Sequence, residues 1–375
     1  MKPLSPITIP ASAAAGPSRF AAARRILDQA IADQALPGAS YGVLHQGQVL
    51  ALDAVGRFTY EADATPVTPS TIFDLASLTK VLATTAAAML LYERGVLKLD
   101  ARLGDILPGF VVGMRRGSGR ERITLRMLLA HSSGLPAYIP FFEQHPTPQG
   151  LLRAVLHTPL EARAGTRAEY SDLGFILLGK ALEILSGDYL ARFCERNIFH
   201  PLELKSLRFC PPPSWQPHIP PTENDTTFRH RIIQGEVQDE NCFVLGGAAG
   251  HAGLFGNTAD ILRFAQVMLR RPISEFSPQP LFHEETFRLF TTRQDKPEGT
   301  TRALGWDTPS NPSSSGKYFS PRSFGHLGYS GTSLWIDPDR DLAVVLLTNR
   351  TWPDRSSKAI QSVRPEFYNA IVESL

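Results

Sequence analysis

The chain has 375 residues, 43% of them apolar and 20% charged, with a formal net charge of +2. That balance makes no electrostatic case for a nucleic-acid partner or an anionic membrane surface, and no stretch approaches the ~20 apolar residues of a membrane span. The three cysteines, Cys194, Cys210 and Cys242, form no CxxC, and the ten histidines form no HExxH, so neither a disulfide framework nor a metal site is expected.

In chain order, residues Ser18 to Gln34 read as a first helix with Leu27, Ile31 and Leu36 on one side. Ser40 to His45 and Val49 to Val55 read as two strands around the turn His45-Gln46-Gly47-Gln48. A helix is expected from Ser77 to Arg94, with Gly95 suited to its C′ position. Leu103–Leu107, Leu125–His131, Gly150–Leu156 and Leu173–Leu185 read as helical pieces separated by Pro- and Gly-rich loops. Pro211–Pro213 and Pro217–Pro221 read as a long connection with little structure of its own. Thr258–Arg271 is a further helix. Gly331–Ile336 and Leu342–Thr348 are hairpin strands, and a closing helix over Ser356–Leu375 is expected to be interrupted near Pro365.

Strands and helices from both ends of the chain flank a helical block. The pattern predicts an α/β fold whose antiparallel sheet is flanked by helices and split by a mostly helical insertion. The boundaries expected are 18–98 together with 241–375 for the sheet domain, and 99–240 for the insertion. The run Gly246-Gly247-Ala248-Ala249-Gly250-His251-Ala252-Gly253 matches neither a dinucleotide fingerprint nor a P-loop. It reads as backbone that turns sharply or packs closely, and no cofactor is expected. No GxSxG is present, which excludes the nucleophile elbow of an ordinary α/β-hydrolase.

Ser77-Leu78-Thr79-Lys80 opens an apolar run rich in Ala and Leu. Residues three apart on a helix share a face, so the Lys80 amine can reach the Ser77 hydroxyl. A serine needs such a neighbouring base, and a pocket for the developing oxyanion, to act as a nucleophile. Its backbone N–H, in a first helical turn, is free to supply half of that pocket. Burial in an apolar helix is expected to lower the lysine's affinity for its proton. Ser-x-x-Lys also occurs by chance; a second copy, Ser314-Ser315-Gly316-Lys317, lies in a Ser/Pro/Gly-rich stretch and reads as surface linker.

Tyr170-Ser171-Asp172 precedes another apolar helix. A phenol beside a lysine ammonium has its ionised form favoured and can pass a proton between nucleophile and leaving group. Equally, Tyr170 reads as a packed aromatic, and Ser171 or Asp172 as a helix cap. His326-Leu327-Gly328-Tyr329 begins the late strand pair. A strand edge beside a serine can offer a second backbone N–H, and a glycine lets substrate approach the main chain. The bland alternatives are a hydrogen-bonded histidine and a polar turn.

Taken together and in this order, these three signatures resemble the serine β-lactamase and penicillin-binding family. The likeness is closest to its class C β-lactamase, D-alanyl-D-alanine carboxypeptidase and family VIII esterase group. Leu128–Pro136, Tyr170–Gly179, Pro201–Leu207, Gly250–Phe255 and Gly328–Asp337 extend the likeness over about residues 40 to 350. The resemblance implies a β-lactamase-like fold, Ser77 as acylated nucleophile, Lys80 as its base partner and Tyr170 as proton shuttle. It also implies an oxyanion hole from the Ser77 and Tyr329 N–H groups, with His326 in the third motif's cationic position.

Two positions depart from the family pattern. Tyr-x-Asn is Tyr170-x-Asp172 here, and a carboxylate accepts hydrogen bonds but donates none. Asp172 is therefore expected to hold Lys80 or substrate N–H groups and to repel a nearby carboxylate. Lys-Thr-Gly is His326-Leu327-Gly328, which loses a permanent cation and a hydroxyl that normally grip a substrate carboxylate. The expected activity is a metal-free serine hydrolase acting on small esters, a β-lactamase-fold carboxylesterase. A D-Ala-D-Ala carboxypeptidase, D-aminopeptidase or class C-like β-lactamase is the first alternative, and a non-catalytic penicillin-binding-like module the second. The partner expected is thus a small-molecule ester, amide or β-lactam. Met1-Lys2-Pro3-Leu4-Ser5-Pro6 leads into no apolar leader, so the sequence as written reads as cytoplasmic, and a trimmed chain as periplasmic or secreted.

Overall fold

A computed structural model describes residues 19–113, 117–270 and 281–375. Helix α1 (Ala21–Ala32) leads into β1 (Gly38–His45) and β2 (Gln48–Gly56), a hairpin. The chain returns to the same sheet only at its far end, through β3 (Phe324–Leu327), β4 (Ser333–Asp337) and β5 (Leu342–Thr348). The spatial order is β2-β1-β5-β4-β3, antiparallel throughout, with Ser40 opposite Leu347 and His326 opposite Leu334. β3 is therefore an edge strand. This is the α/β, antiparallel arrangement the sequence predicts.

Side chains of a strand alternate between faces. On β5, Val344 and Leu346 join the cluster that holds Leu27, Tyr41, Phe367 and Tyr368. Val345 and Leu347 face the opposite core, with Ile261, Leu262 and Leu334. Both faces are covered, which is why β5 reads as one continuous apolar run. Helices α1 and α5 (Ile360–Glu373) cover the first face, and α4 (Thr258–Arg270) covers the second.

Three expectations need correction. The run from Ser77 is not a single helix. Ala76–Leu78 is a 3₁₀ turn, Lys80–Thr85 a π-helical stretch, and only α2 (Ala86–Glu93) is α-helical. Local contacts impose the change. Thr79 Oγ1 donates to Ala76 O at 2.6 Å and accepts from Leu254 N, while Thr84 Oγ1 donates to Gly250 O at 2.7 Å. Widened turns of this kind recur at functional sites. The Pro-rich stretch is also structured: Pro213–His218 is 3₁₀, because proline tolerates the first turn of a helix, and Glu223–Asp225 pairs with Arg231–Ile233. The closing helix starts later than expected and runs through Pro365 without a break.

The glycine-rich run does pack closely. A Cβ on Gly250 would stand 2.0 Å from the Phe175 carbonyl oxygen, so only glycine lets this segment lie against α3 (Asp172–Ser186). That contact sets Gly250 and His251 beside the Lys80 stretch. Ser314 and Lys317 fall in an irregular surface loop, as expected, with Lys317 exposed and only Ser315 fully buried. The far end of the helix expected over Thr258–Arg271 lies outside the described residues.

Candidate active site

Lys80 is fully buried, and its ammonium meets three acceptors: Ser77 Oγ at 2.9 Å, Asp172 Oδ1 at 2.6 Å and the His251 carbonyl at 2.9 Å. Three donors and three acceptors satisfy the group. Burial acts to strip its proton, but the opposing pull of Asp172 and Tyr170 is stronger, so the lysine holds its proton more tightly than usual. This corrects the sequence expectation that the apolar helix would loosen it. The carboxylate at position 172 was the deciding neighbour.

Tyr170 donates its hydroxyl hydrogen to Ser77 Oγ at 2.7 Å. Its ring lies 4.9 Å from the Lys80 nitrogen, and Phe175 lies 5.6 Å away. Burial pushes the phenol up, and the ammonium only partly offsets it, so the resting phenol is neutral. The expectation of a favoured phenolate is corrected in the same way. Ser171, not Asp172, caps α3, accepting from Gly174 N at 3.1 Å; this frees the Asp172 carboxylate for Lys80.

Ser77 sits in the 3₁₀ turn that follows the Phe73–Asp74 strand, held by Ala76 N–H donating to Asp74 Oδ1 at 2.8 Å. The backbone N–H groups of Ser77 and Tyr329 donate to no acceptor among the described residues. Gly328 is explained by packing. A Cβ there would stand 2.0 Å from Thr332 Oγ1 and 2.7 Å from the Leu75 carbonyl oxygen. Glycine thus lets the end of β3 approach the serine's own segment, and Gly328 also lines the cavity that holds Ser77.

His326 lies on β3 and is 3% exposed. Its Nδ1 faces the Leu327 carbonyl at 2.8 Å, so that nitrogen carries the hydrogen, and Nε2 has no partner. Burial, then Lys80 and Arg302, push its affinity for a second proton well down. The residue at the third motif's cationic position thus disfavours a positive charge, in keeping with the loss of a permanent cation read from the sequence.

Several residues of the site were not singled out from sequence. His131 accepts from Ser171 N at Nδ1 (3.0 Å) and stacks on Tyr170 and Phe175 at 4.7 and 4.9 Å, holding the tyrosine in place. The Leu128–Pro136 stretch was the available signal. Asp239 bonds His251 Nε2 at 2.9 Å, fixing the loop whose carbonyl receives Lys80. The Arg302 guanidinium lies 5.5 Å from the Tyr170 ring centre and 3.5 Å from Asp307; it comes from a loop without a motif, and nothing in the sequence marks it. Asp74, fully buried, is pushed up to about 6 by desolvation.

Ser77, Tyr170, Asp172, His326 and Tyr329 all line one cavity of about 650 Å³. A serine hydroxyl, two proton-carrying groups and two N–H donors without an acceptor among the described residues are the kinds of parts acyl transfer uses. Residues 23–363 match the model of the beta-lactamase family. The chain belongs to that family. Similar curated proteins include a provisionally named D-alanyl-D-alanine carboxypeptidase of Escherichia coli K12, 34% identical over 76% of this chain and 70% of that one. Another is a Bacillus subtilis protein named N-acetylmuramyl-L-alanine amidase, 33% identical over 84% of this chain and 77% of that one.

Among solved structures, EstCE1, a hydrolase with promiscuous acyltransferase activity, superposes with a TM-score of 0.74 at 22% identity over 93% of this chain and 98% of that one. A class C beta-lactamase from Rhodobacter sphaeroides gives 0.70 at 24% identity, covering 94% and 99%. At these identities the superpositions speak for the beta-lactamase fold alone. This beta-lactamase-family member is a hydrolase of the serine beta-lactamase and penicillin-binding type, and no helix among its described residues is long and apolar enough to cross a membrane.

Proposed function

We propose that the protein is a β-lactamase-fold carboxylesterase in which Ser77 becomes acylated by small esters. The observation that carries the reading is the hydroxyl of Ser77 within hydrogen-bond reach of both Tyr170 and Lys80. Tyr170, once it has given its proton to solvent, takes the Ser77 proton. The Ser77 Oγ–carbonyl carbon bond then forms with the oxyanion facing the Ser77 and Tyr329 N–H groups. The bond to the leaving alkoxide or amine breaks as Tyr170 returns the proton to it. Water repeats the sequence, releasing the acid and restoring Ser77. Lys80 stays an ammonium and stabilises the phenolate, and Asp172 keeps it charged. The hydrolysing form needs an ionised Tyr170 whose proton is held tightly, so kcat/KM rises toward alkaline pH.

Preference for esters rests on the neutral His326 and apolar Leu327, which offer no cation or hydroxyl to a substrate carboxylate. A second reading, cleavage of D-alanyl-D-alanine peptides, is favoured by the name of the Escherichia coli relative. Hydrolysis of p-nitrophenyl acetate and butyrate by the native protein and by Ser77→Ala tests the first reading; equal rates would remove Ser77 as nucleophile. A D-Ala-D-Ala peptide and a chromogenic cephalosporin separate the readings. Strong turnover of either, with little ester hydrolysis, would favour the second.

A further inference from the structure

The aromatic side chains of this protein are mostly buried, yet two tyrosines at the cavity are not. Tyr329 is 51% exposed and Tyr138 is 40% exposed, and both line the cavity that holds Ser77. Exposure alone is unremarkable: Tyr189 is more exposed still, and it is not among the residues lining that cavity. The Tyr329 ring is held in place. The Arg350 guanidinium lies 4.5 Å from its centre and that of Arg355 lies 5.9 Å away. Each guanidinium is itself anchored. Arg350 donates to the Tyr329 carbonyl and the Ser357 carbonyl, both at 2.8 Å, and Arg355 donates to Glu240 at 2.8 Å.

Tyr329 therefore has a ring fixed by cations, while much of its surface stays open. A rigid aromatic gives contact area at little entropic cost. Cations against a ring draw on its negative π-face, which makes the ring a poor partner for another cation and suits it to an uncharged flat group. Tyr138 comes from a different part of the chain, the loop that leads into Pro140, and its hydroxyl feels Asp239 and Glu240. Glu240 and Arg355 line the same cavity as both rings.

We propose that Tyr329 and Tyr138 form an aromatic clamp at the cavity that takes an uncharged flat ring carried by the substrate near its scissile carbonyl. Tyr329 is the pivot, because its backbone N–H belongs to the oxyanion pair of the proposed reaction and its side chain extends from the same residue. The inference rests on that reading of Ser77 for its place in turnover, but the clamp itself can be tested by binding alone.

The test uses the full chain and two substrate pairs that differ by a ring. p-Nitrophenyl phenylacetate against p-nitrophenyl acetate varies the acyl side, and phenyl acetate against ethyl acetate varies the leaving side. In at least one pair, Tyr329→Ala and Tyr138→Ala should each lower kcat/KM roughly three- to tenfold more for the ring-bearing member, chiefly through KM. Tyr329→Phe and Tyr138→Phe should keep the native preference. Equal falls within both pairs would overturn the clamp. Calorimetric binding of phenylacetamide and acetanilide, each against acetamide, to Ser77→Ala separates the clamp from the hydrolytic reading. Tighter binding of either ring compound, lost on adding Tyr329→Ala, supports the clamp whatever the turnover result; equal binding of all three overturns it. Undiminished ester hydrolysis by Ser77→Ala would sink the nucleophile assignment by itself.

Discussion

The two sides of the cavity are built on different physics. On the side of Ser77, the ammonium and hydroxyls are closely bonded: Lys80 has three acceptors, Thr79 bridges two backbone segments, and Ser77 Oγ receives two hydrogens. Leu78, Val81 and Leu82 around them are fully buried, each worth roughly 1.5–3 kcal/mol of hydrophobic stabilisation. The strand side, from His326 to Tyr329, is loosely committed. His326 Nε2 has no partner, the Tyr329 N–H is free, and the Tyr329 ring is half exposed. A saturated network fixes geometry, which chemistry requires, and an open wall leaves hydrogen-bonding capacity for a ligand.

The contrast can be broken at either side, and the largest effects belong to the saturated one. Tyr170→Phe and Lys80→Met should each lower kcat/KM for p-nitrophenyl butyrate by about 10²–10⁴-fold, the usual weight of a positioned proton carrier. Steady-state kinetics checks this, and a loss below tenfold would mean that neither residue handles the proton.

Asp172→Asn sharpens the comparison. Asp172 raises the proton affinity of both Lys80 and Tyr170, so its removal should move the alkaline rise of kcat/KM to lower pH. The same variant should melt earlier. The folded lysine holds its proton more tightly than an unfolded one. Its contribution to stability is therefore complete below the ordinary lysine value of ~10.4 and is lost as pH rises through the folded value above it. The gap in Tm between native and variant proteins should accordingly stay constant through neutral pH and close only in strong alkali. A pH-rate profile and melting curves at several pH values read both effects.

On the open wall, His326→Lys restores a cation where the native residue is neutral. It should improve hydrolysis of a carboxylate-bearing ester relative to its methyl ester by roughly tenfold, the scale of one charge-assisted contact. An unchanged ratio would show that this position does not face the substrate. The smallest effect is expected far from the cavity. Arg167 stands 3.4 Å from Glu161 and 3.7 Å from Glu169 with all three side chains well exposed, so Arg167→Ala should change unfolding free energy by no more than ~0.5 kcal/mol in a denaturant titration.

Much of this was readable before any coordinates. The continuous apolar run over residues 342–348 and the hairpin turns define the sheet, because alternate side chains enter two different cores. Ser77, Lys80 and Tyr170 are close in type and spacing to a recurring set, and the chain does bring them together. What sequence could not weigh was the balance of opposing fields. Burial alone argues for a neutral Lys80, and the 2.6 Å approach of Asp172, 92 residues away, together with Tyr170, reverses the sign. For His326 burial and then the charges of Lys80 and Arg302 act in one direction, and distant segments supply both. Arg302 and Asp239 carry no local pattern because their roles arise from where loops end, not from periodicity.

The central claim is that the acyl group is carried by Ser77. Incubation with an acylating fluorophosphonate followed by peptide mapping tests it most directly. A single adduct on the peptide containing Ser77, absent from Ser77→Ala, is the predicted result. An adduct on another serine, or none after prolonged exposure of folded protein, would contradict it.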